Sequence, residues 1–120
     1  MPRFVALYMG SADAANQVAW EQLTDADRAA RSHEAMTAWG AWVEKHKGAI
    51  RDMGSPLGKT LLASDAGISP TRNAVTAYVI VEAASHREAA EMFEKHPHFS
   101  IFPGSGVEIL ECLPMPAAQT

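Results

Sequence analysis

The residues with the most evident chemical capacity in this chain surround a proline. His96 and His98 flank Pro97 in the stretch Glu94-Lys-His-Pro-His-Phe-Ser-Ile-Phe-Pro-Gly-Ser-Gly-Val-Glu108. An imidazole titrates close to neutrality, so either histidine suits a general base without much tuning. Proline holds its φ at about −65°, which restricts the relative direction of its two neighbours. On an extended chain, residues two apart point the same way, so both rings would face one cavity. The competing reading is structural, with His96 bonding the last free carbonyls of the preceding helix and suiting its dipole. A metal site would need a third ligand, with His33 or Glu108 the candidates; their spacing does not demand one, and no metal is expected.

His33 is a third acid–base candidate, four residues before Thr37 on a helical stretch that also carries Trp39 and Trp42. A base there would want a carboxylate to orient it, and Glu34 points elsewhere; a surface histidine is the plainer reading. Trp39 and Trp42 either wall a flat cavity for a planar substrate or fill the core. Arg51, on an otherwise apolar strand, offers its guanidinium fork to a substrate carboxylate, although an edge or solvent position explains it equally well. Tyr78 joins Trp39, Trp42 and Arg51 as a residue expected on the substrate side. Ser55-Pro-Leu-Gly58 and Pro103-Gly-Ser-Gly106 could bring backbone N–H groups to an oxyanion, but neither matches a phosphate loop and both read as turns. His46 and His86 read as surface residues.

The elements that must carry these side chains follow from periodicity and punctuation. Phe4 to Met9 is a short apolar run closed by Gly10, read as a buried first strand. Ser11 to Leu23 is a loop or short helix anchored by Trp20. Thr24-Asp-Ala-Asp27 supplies a capping oxygen and two carboxylates to a helix start, and the helix runs to Lys47, with Gly48 as its stop. Met36, Trp39 and Val43 mark its apolar face, with Ala35, Ala38 and Trp42 widening the stripe. Ala49 to Met53 and Lys59 to Ser64 are strands, separated by a turn at 54–58 and followed by a turn at 65–67. Ala74 to Ala83 is rich in β-branched and aromatic residues on both alternating faces, so it is placed at the centre of the sheet. Ser85-His-Arg-Glu88 is a capping box; Ala89, Ala90, Met92 and Phe93 form the buried face of that helix, and Pro97 forbids its continuation. Val107 to Leu113 is the last strand.

Strand, helix, strand, strand, helix, strand, with room for one extra strand, is the order of a ferredoxin-like α+β plan with an antiparallel sheet. Two helices cover one face of such a sheet. The other would be a large bare apolar surface, and burying it against a second copy is the simplest remedy, so a homodimer is expected.

A length of 120 residues, 48% hydrophobic and 20% charged, fits one folded domain over 1–120. A net charge of −4, with the ten basic residues scattered, argues against a nucleic-acid surface. Cys112 is the only cysteine, so no intrachain disulfide is possible, and its place in an apolar run suggests a packed thiol, not a nucleophile. The apolar run at the start is too short for a signal peptide or membrane span, which makes a cytoplasmic location the default.

With these elements in place, the chain resembles the YCII-related family of the dimeric α/β-barrel superfamily. The resemblance rests on Trp39-Gly-Ala-Trp42, Gly54-Ser-Pro-Leu-Gly58, Ala77-Tyr-Val-Ile-Val-Glu-Ala83, Ala89-Ala90, His96-Pro-His-Phe99, Gly104-Ser-Gly-Val-Glu108 and Leu113-Pro-Met-Pro116. It implies a ferredoxin-like fold, dimerisation through the sheets, and a small cavity between helix and sheet. The better understood branch of that family uses a His–Asp pair as acid and base. Here the family histidine would fall at Thr37, with His33 one helical turn earlier, and the carboxylate expected before the proline is replaced by His96. The Asp-Gly-Pro-Phe signature of another branch is missing between Ala63 and Ala74. Heme or flavin occurs among relatives in the superfamily, but no residue here requires a cofactor, and none is expected.

Two functions follow as expectations. One is a small-molecule enzyme of lyase, isomerase or elimination type, with His98 or His96 exchanging a proton, Trp39 and Trp42 as walls, and Arg51 steadying an anion. The other is a non-catalytic binding or accessory module whose histidines are structural.

Overall fold

The computed structural model describes residues 1–11 and 13–116. Its centre is β5 (Val75–Glu82), which pairs antiparallel with β1 (Arg3–Met9) on one side and with β2 (Ile50–Pro56) on the other. The last strand, β6 (Gly106–Glu111), pairs antiparallel with the free edge of β1, so the sheet order is β2-β5-β1-β6. Two helices inserted into this order make the ferredoxin-like α+β arrangement. The extra strand is realised as β3 (Thr60–Ser64), and it pairs with β4 (Gly67–Thr71), a strand not expected from the sequence, in a separate two-stranded ribbon between β2 and β5.

The helices begin where their capping residues direct. Thr24 Oγ1 accepts from the Asp27 amide at the start of α2 (Asp25–His46), and Ser85 Oγ accepts from the Glu88 amide at the start of α3 (His86–Glu91). Of the Ser11–Leu23 stretch, residue 12 lies outside the described residues, and Ala15–Glu21 forms the short helix α1, whose Trp20 packs against Phe102 at 5.9 Å between ring centroids. One further helical turn, α4 (Pro97–Ser100), precedes β6.

Phe4, Ala6 and Tyr8 of β1 and Val79 and Val81 of β5 point to one face of the sheet and form the core with Ala89 and Phe93. Trp39 and Trp42 of α2 pack on that core from the other side. The buried line of α2 runs through Ala35, whereas Met36, expected on it, is exposed. Ala90 of α3 is likewise exposed, with Ala89 taking the inward position.

The opposite sheet face carries Val5, Leu7, Ile80 and Leu110, brought together by register, and none of them is buried. The thinnest dimension of the molecule, 19 Å, is that of two layers, and its radius of gyration, 16.8 Å, exceeds the roughly 14 Å of a compact chain of this length.

The turn expected at 54–58 begins later, because β2 continues through Pro56 by means of a bulge. Asp52 pairs with Ile80 and Ser55 with Tyr78, so two intervening residues of β2 face one of β5. Gly54 makes this possible: its φ is 66°, and a Cβ there would collide with the Tyr78 carbonyl. Cys112 lies just past β6 and is exposed, not packed as expected from its apolar neighbours.

Candidate functional site

Between α2 and the inner sheet face is a cavity of about 460 Å³, within the usual size range of small-molecule sites. Trp39, Trp42 and Val43 wall it from α2, Ile50 and the Gly54 bulge from β2, and Tyr8, Ala77 and Val79 from the sheet floor. His98 closes one end.

Pro97 does not hold its neighbours in an extended chain. It is the first residue of α4, with His96 as the N-cap, so the two histidines diverge from the same-side geometry expected of a strand. They converge nevertheless, because each reaches back to β1. The Tyr8 ring lies 5.1 Å from each imidazole, centroid to centroid. The turn that aims them follows Lys95, which occupies the left-handed region at φ 56°. The Ser100 hydroxyl donates to the Lys95 carbonyl at 3.0 Å and pins that turn.

The hydrogen bonds determine each tautomer. His96 Nδ1 accepts from the His98 amide at 3.0 Å, so the proton of the neutral ring sits on Nε2, 3.3 Å from the Tyr8 hydroxyl oxygen. Tyr8 thereby accepts from His96 and keeps its own hydroxyl proton available. His98 Nε2 lies 2.7 Å from the Met9 carbonyl, which can only accept, so the neutral His98 ring is protonated there and leaves Nδ1 as a base. That Nδ1 has no partner among the described residues, and none of their buried side-chain nitrogens or oxygens lacks one, so Nδ1 is not sealed away.

His96 is 1% exposed and is the N-cap of α4, not the cap of the helix before it. Burial, and then the repulsion that His98 and His46 would exert, push its imidazole down to about 3. Burial also lowers His98, against a smaller opposing effect from its bond to the Met9 carbonyl. Burial raises the Tyr8 phenol above its ordinary value, so Tyr8 is a neutral hydrogen-bond donor near neutrality.

The chain matches no family model, and no curated protein matches it. A solved structure similar to it is 5-chloro-2-hydroxyhydroquinone dehydrochlorinase from Burkholderia phenoliruptrix AC1100 in complex with 2,5-dihydroxybenzoquinone, at 19% identity over 89% of each chain and a TM-score of 0.49. A likeness this distant transfers neither ligand nor reaction.

Of the residues singled out from sequence, the cavity brings together Trp39, Trp42, Tyr78 and His98, with His96 behind Tyr8. Tyr78 pairs with Leu7, whose side chain is on the opposite sheet face, so by alternation Tyr78 borders the cavity with its main chain. His33 is exposed and stays apart. At about 100° per residue it lies half a turn around α2 from Trp42, nine positions on. Arg51 does not line the cavity. Its guanidinium bonds Glu82 at 2.8 Å and the Gly48 carbonyl at 2.9 Å, and together with Arg3 it holds the Glu82 carboxyl below its ordinary range.

Glu108 pairs with Leu7 and so points away from the histidines. Among the described residues, no group of three or more His, Cys, Asp or Glu is placed to hold a metal ion. No helix among them is long and apolar enough to cross a membrane. Of the amides in the two glycine turns, three are engaged: Leu57 donates to the Thr76 carbonyl, Gly104 to that of His98 and Ser105 to that of Met9. Two residues read as surface are tied in as well. His46 is half-buried against Trp42, and His86 bonds the Ile109 carbonyl at 2.7 Å.

Tyr8 and Gly104 were missed from sequence. Tyr8 reads as one more apolar strand residue, and its partner His96 is 88 positions away. Gly104 reads as a turn, yet the His98 ring lies against it where a Cβ would be.

Proposed function

We propose that the α2–sheet cavity binds a small organic molecule and exchanges a proton with it, with His98 Nδ1 as general base. The observation that carries this reading is the neutral His98 ring at the cavity wall, its Nε2 proton held by the Met9 carbonyl and its Nδ1 open. Nδ1 takes a proton from an acidic C–H or O–H of the ligand, and the resulting imidazolium keeps its bond to Met9. Returning that proton to another atom of the ligand completes an isomerisation, and losing a leaving group in its place completes an elimination. General acid–base help of this kind contributes about 10²–10⁴-fold. The two tryptophans exclude water and hold a flat ligand against the sheet. The resemblance of the sequence motifs to YCII-related proteins supports the same reading.

Binding without turnover is the second reading, and His96 favours it for its own part: both ring nitrogens are already engaged and burial keeps the ring neutral. NMR titration of the imidazoles, with a panel of small aromatic and keto compounds, separates the two. The enzyme reading expects ligands to shift the His98 resonances and His98→Gln to abolish proton exchange with solvent at the ligand. Exchange that survives in His98→Gln removes the general-base assignment.

The same reading extends to a homodimer formed through the outer sheet face. Val5, Leu7, Ile80 and Leu110 make an apolar surface there with incomplete cover, which a twofold-related copy would bury.

A further inference from the structure

We infer that the cavity selects uncharged ligands bearing a hydrogen-bonding oxygen and rejects carboxylates, with Tyr8 as the group that holds that oxygen. The inference rests on the binding reading above and specifies the ligand class of the same site. Among the described residues lining the cavity, none is Asp, Glu, Lys or Arg; the walls are aromatic, aliphatic, thioether and glycine, with the phenol of Tyr8, while Ser55 and Thr76 share the strand parity of Tyr78 and border the cavity with their main chain. Arg51, the cation closest in sequence to these walls, is bound to Glu82 on the sheet. A carboxylate entering here would lose its hydration and meet no cation, a penalty that an uncharged ligand avoids.

The polar groups that remain form a donor–acceptor pair. His96 Nε2–H donates to the Tyr8 oxygen, which turns the Tyr8 hydroxyl into a donor whose proton has no other partner among the described residues. Burial keeps that phenol protonated. His98 Nδ1 supplies the acceptor. A ring-sized ligand with a carbonyl or hydroxyl oxygen for Tyr8 and an acidic hydrogen for His98 satisfies both at once. Tyr8 is then a binding residue that touches the ligand, and His96 is a positioning residue that acts through it.

Two probes of matched size test this: 4-hydroxyacetophenone, which is uncharged, and 4-hydroxybenzoate, which is anionic. Each is titrated into the full chain at neutral pH by following the His98 imidazole shifts together with the Trp39 and Trp42 indole signals, because His98 also borders a second hollow beside Gly10 that the tryptophans do not line. The expected result is at least about tenfold tighter binding of the uncharged probe. Tyr8→Phe, which retains the ring, should remove most of the uncharged probe's affinity. Equal or tighter binding of the carboxylate overturns the selectivity while leaving a ligand cavity in place. Unchanged affinity in Tyr8→Phe overturns the role of Tyr8. If neither probe moves the His98 signals, the binding reading falls together with this one.

Discussion

The two faces of the same strands have opposite characters. On the inner face, Tyr8 and the histidines form a small network in which His96 Nδ1, His96 Nε2 and His98 Nε2 each have a partner, and the Trp42 indole N–H donates to the Met92 carbonyl at 2.7 Å. On the outer face, Leu110 is exposed beside half-buried Val5, Leu7 and Ile80. The β3–β4 ribbon continues that character: Leu61, Ala63, Ile68 and Pro70 fall on one of its faces by register, and all are exposed. Buried polar groups tolerate little displacement, because a broken partner leaves a dry, unsatisfied atom. Exposed apolar groups tolerate much and gain only when something covers them. Changes on the inner face should therefore alter the fold, whereas changes on the outer face should alter assembly.

The sharpest test of that contrast is Gly104→Ala. The new methyl would occupy the space of the His98 ring, forcing it off the Met9 carbonyl. Overpacking plus a lost hydrogen bond should destabilise the protein by about 2–4 kcal/mol, read from urea denaturation. A cost under about 0.5 kcal/mol, the usual range of a surface change, would mean that the His98 pocket is loose.

Acid should act on the inner face next. The folded state holds His96 neutral down to about 3, whereas the unfolded chain protonates it at the ordinary 6.5. Between these values the unfolded state binds the extra proton. This contribution to stability is therefore complete above the upper value and drains as pH falls toward the lower one, by at most about 1.4 kcal/mol per pH unit. His98, lowered by the same burial, acts in the same direction. His96→Gln should flatten the loss measured by denaturation across that window, and a variant with the wild-type slope would show that His96 is protonated in the fold.

The smallest effect on the fold is expected from Leu110→Glu on the outer face, within about 0.5 kcal/mol of wild type once monomeric. Its effect on assembly is the larger one. Sedimentation velocity at micromolar concentration should show a dimer for wild type and a monomer for the variant. A wild-type chain that sediments as a monomer would remove the homodimer, and with it the reason given for the apolar outer face.

Local rules are the part of this molecule that was legible in advance. The caps at Thr24 and Ser85 act on amides three residues away, and β5 declares itself by β-branched residues on both faces; each signal lies within one element. The two helices read among the strands likewise announced a sheet with one covered face. Positions within α2 were harder. Met36 and Ala35 are neighbours in an apolar stretch, and only docking on the sheet decided that the small residue turns inward. Arg51 looked available because its partner is not a sequence neighbour; Glu82, 31 positions on and on the adjacent strand, engages it.

The sequence alone determined the order of the four main-sheet strands and of the helices α2 and α3, though not β4 or α4, since turn residues, caps and periodicity act over a few positions and do not depend on the rest of the chain. The site is different. His96 meets Tyr8 over 88 positions, and His98 meets the Met9 carbonyl over 89. Which nitrogen holds a proton, and which is left to act as a base, depends on those meetings and on the burial they share. Only the closed tertiary structure decides it, because hydrogen bonding and desolvation depend on distance in space and not on separation along the chain.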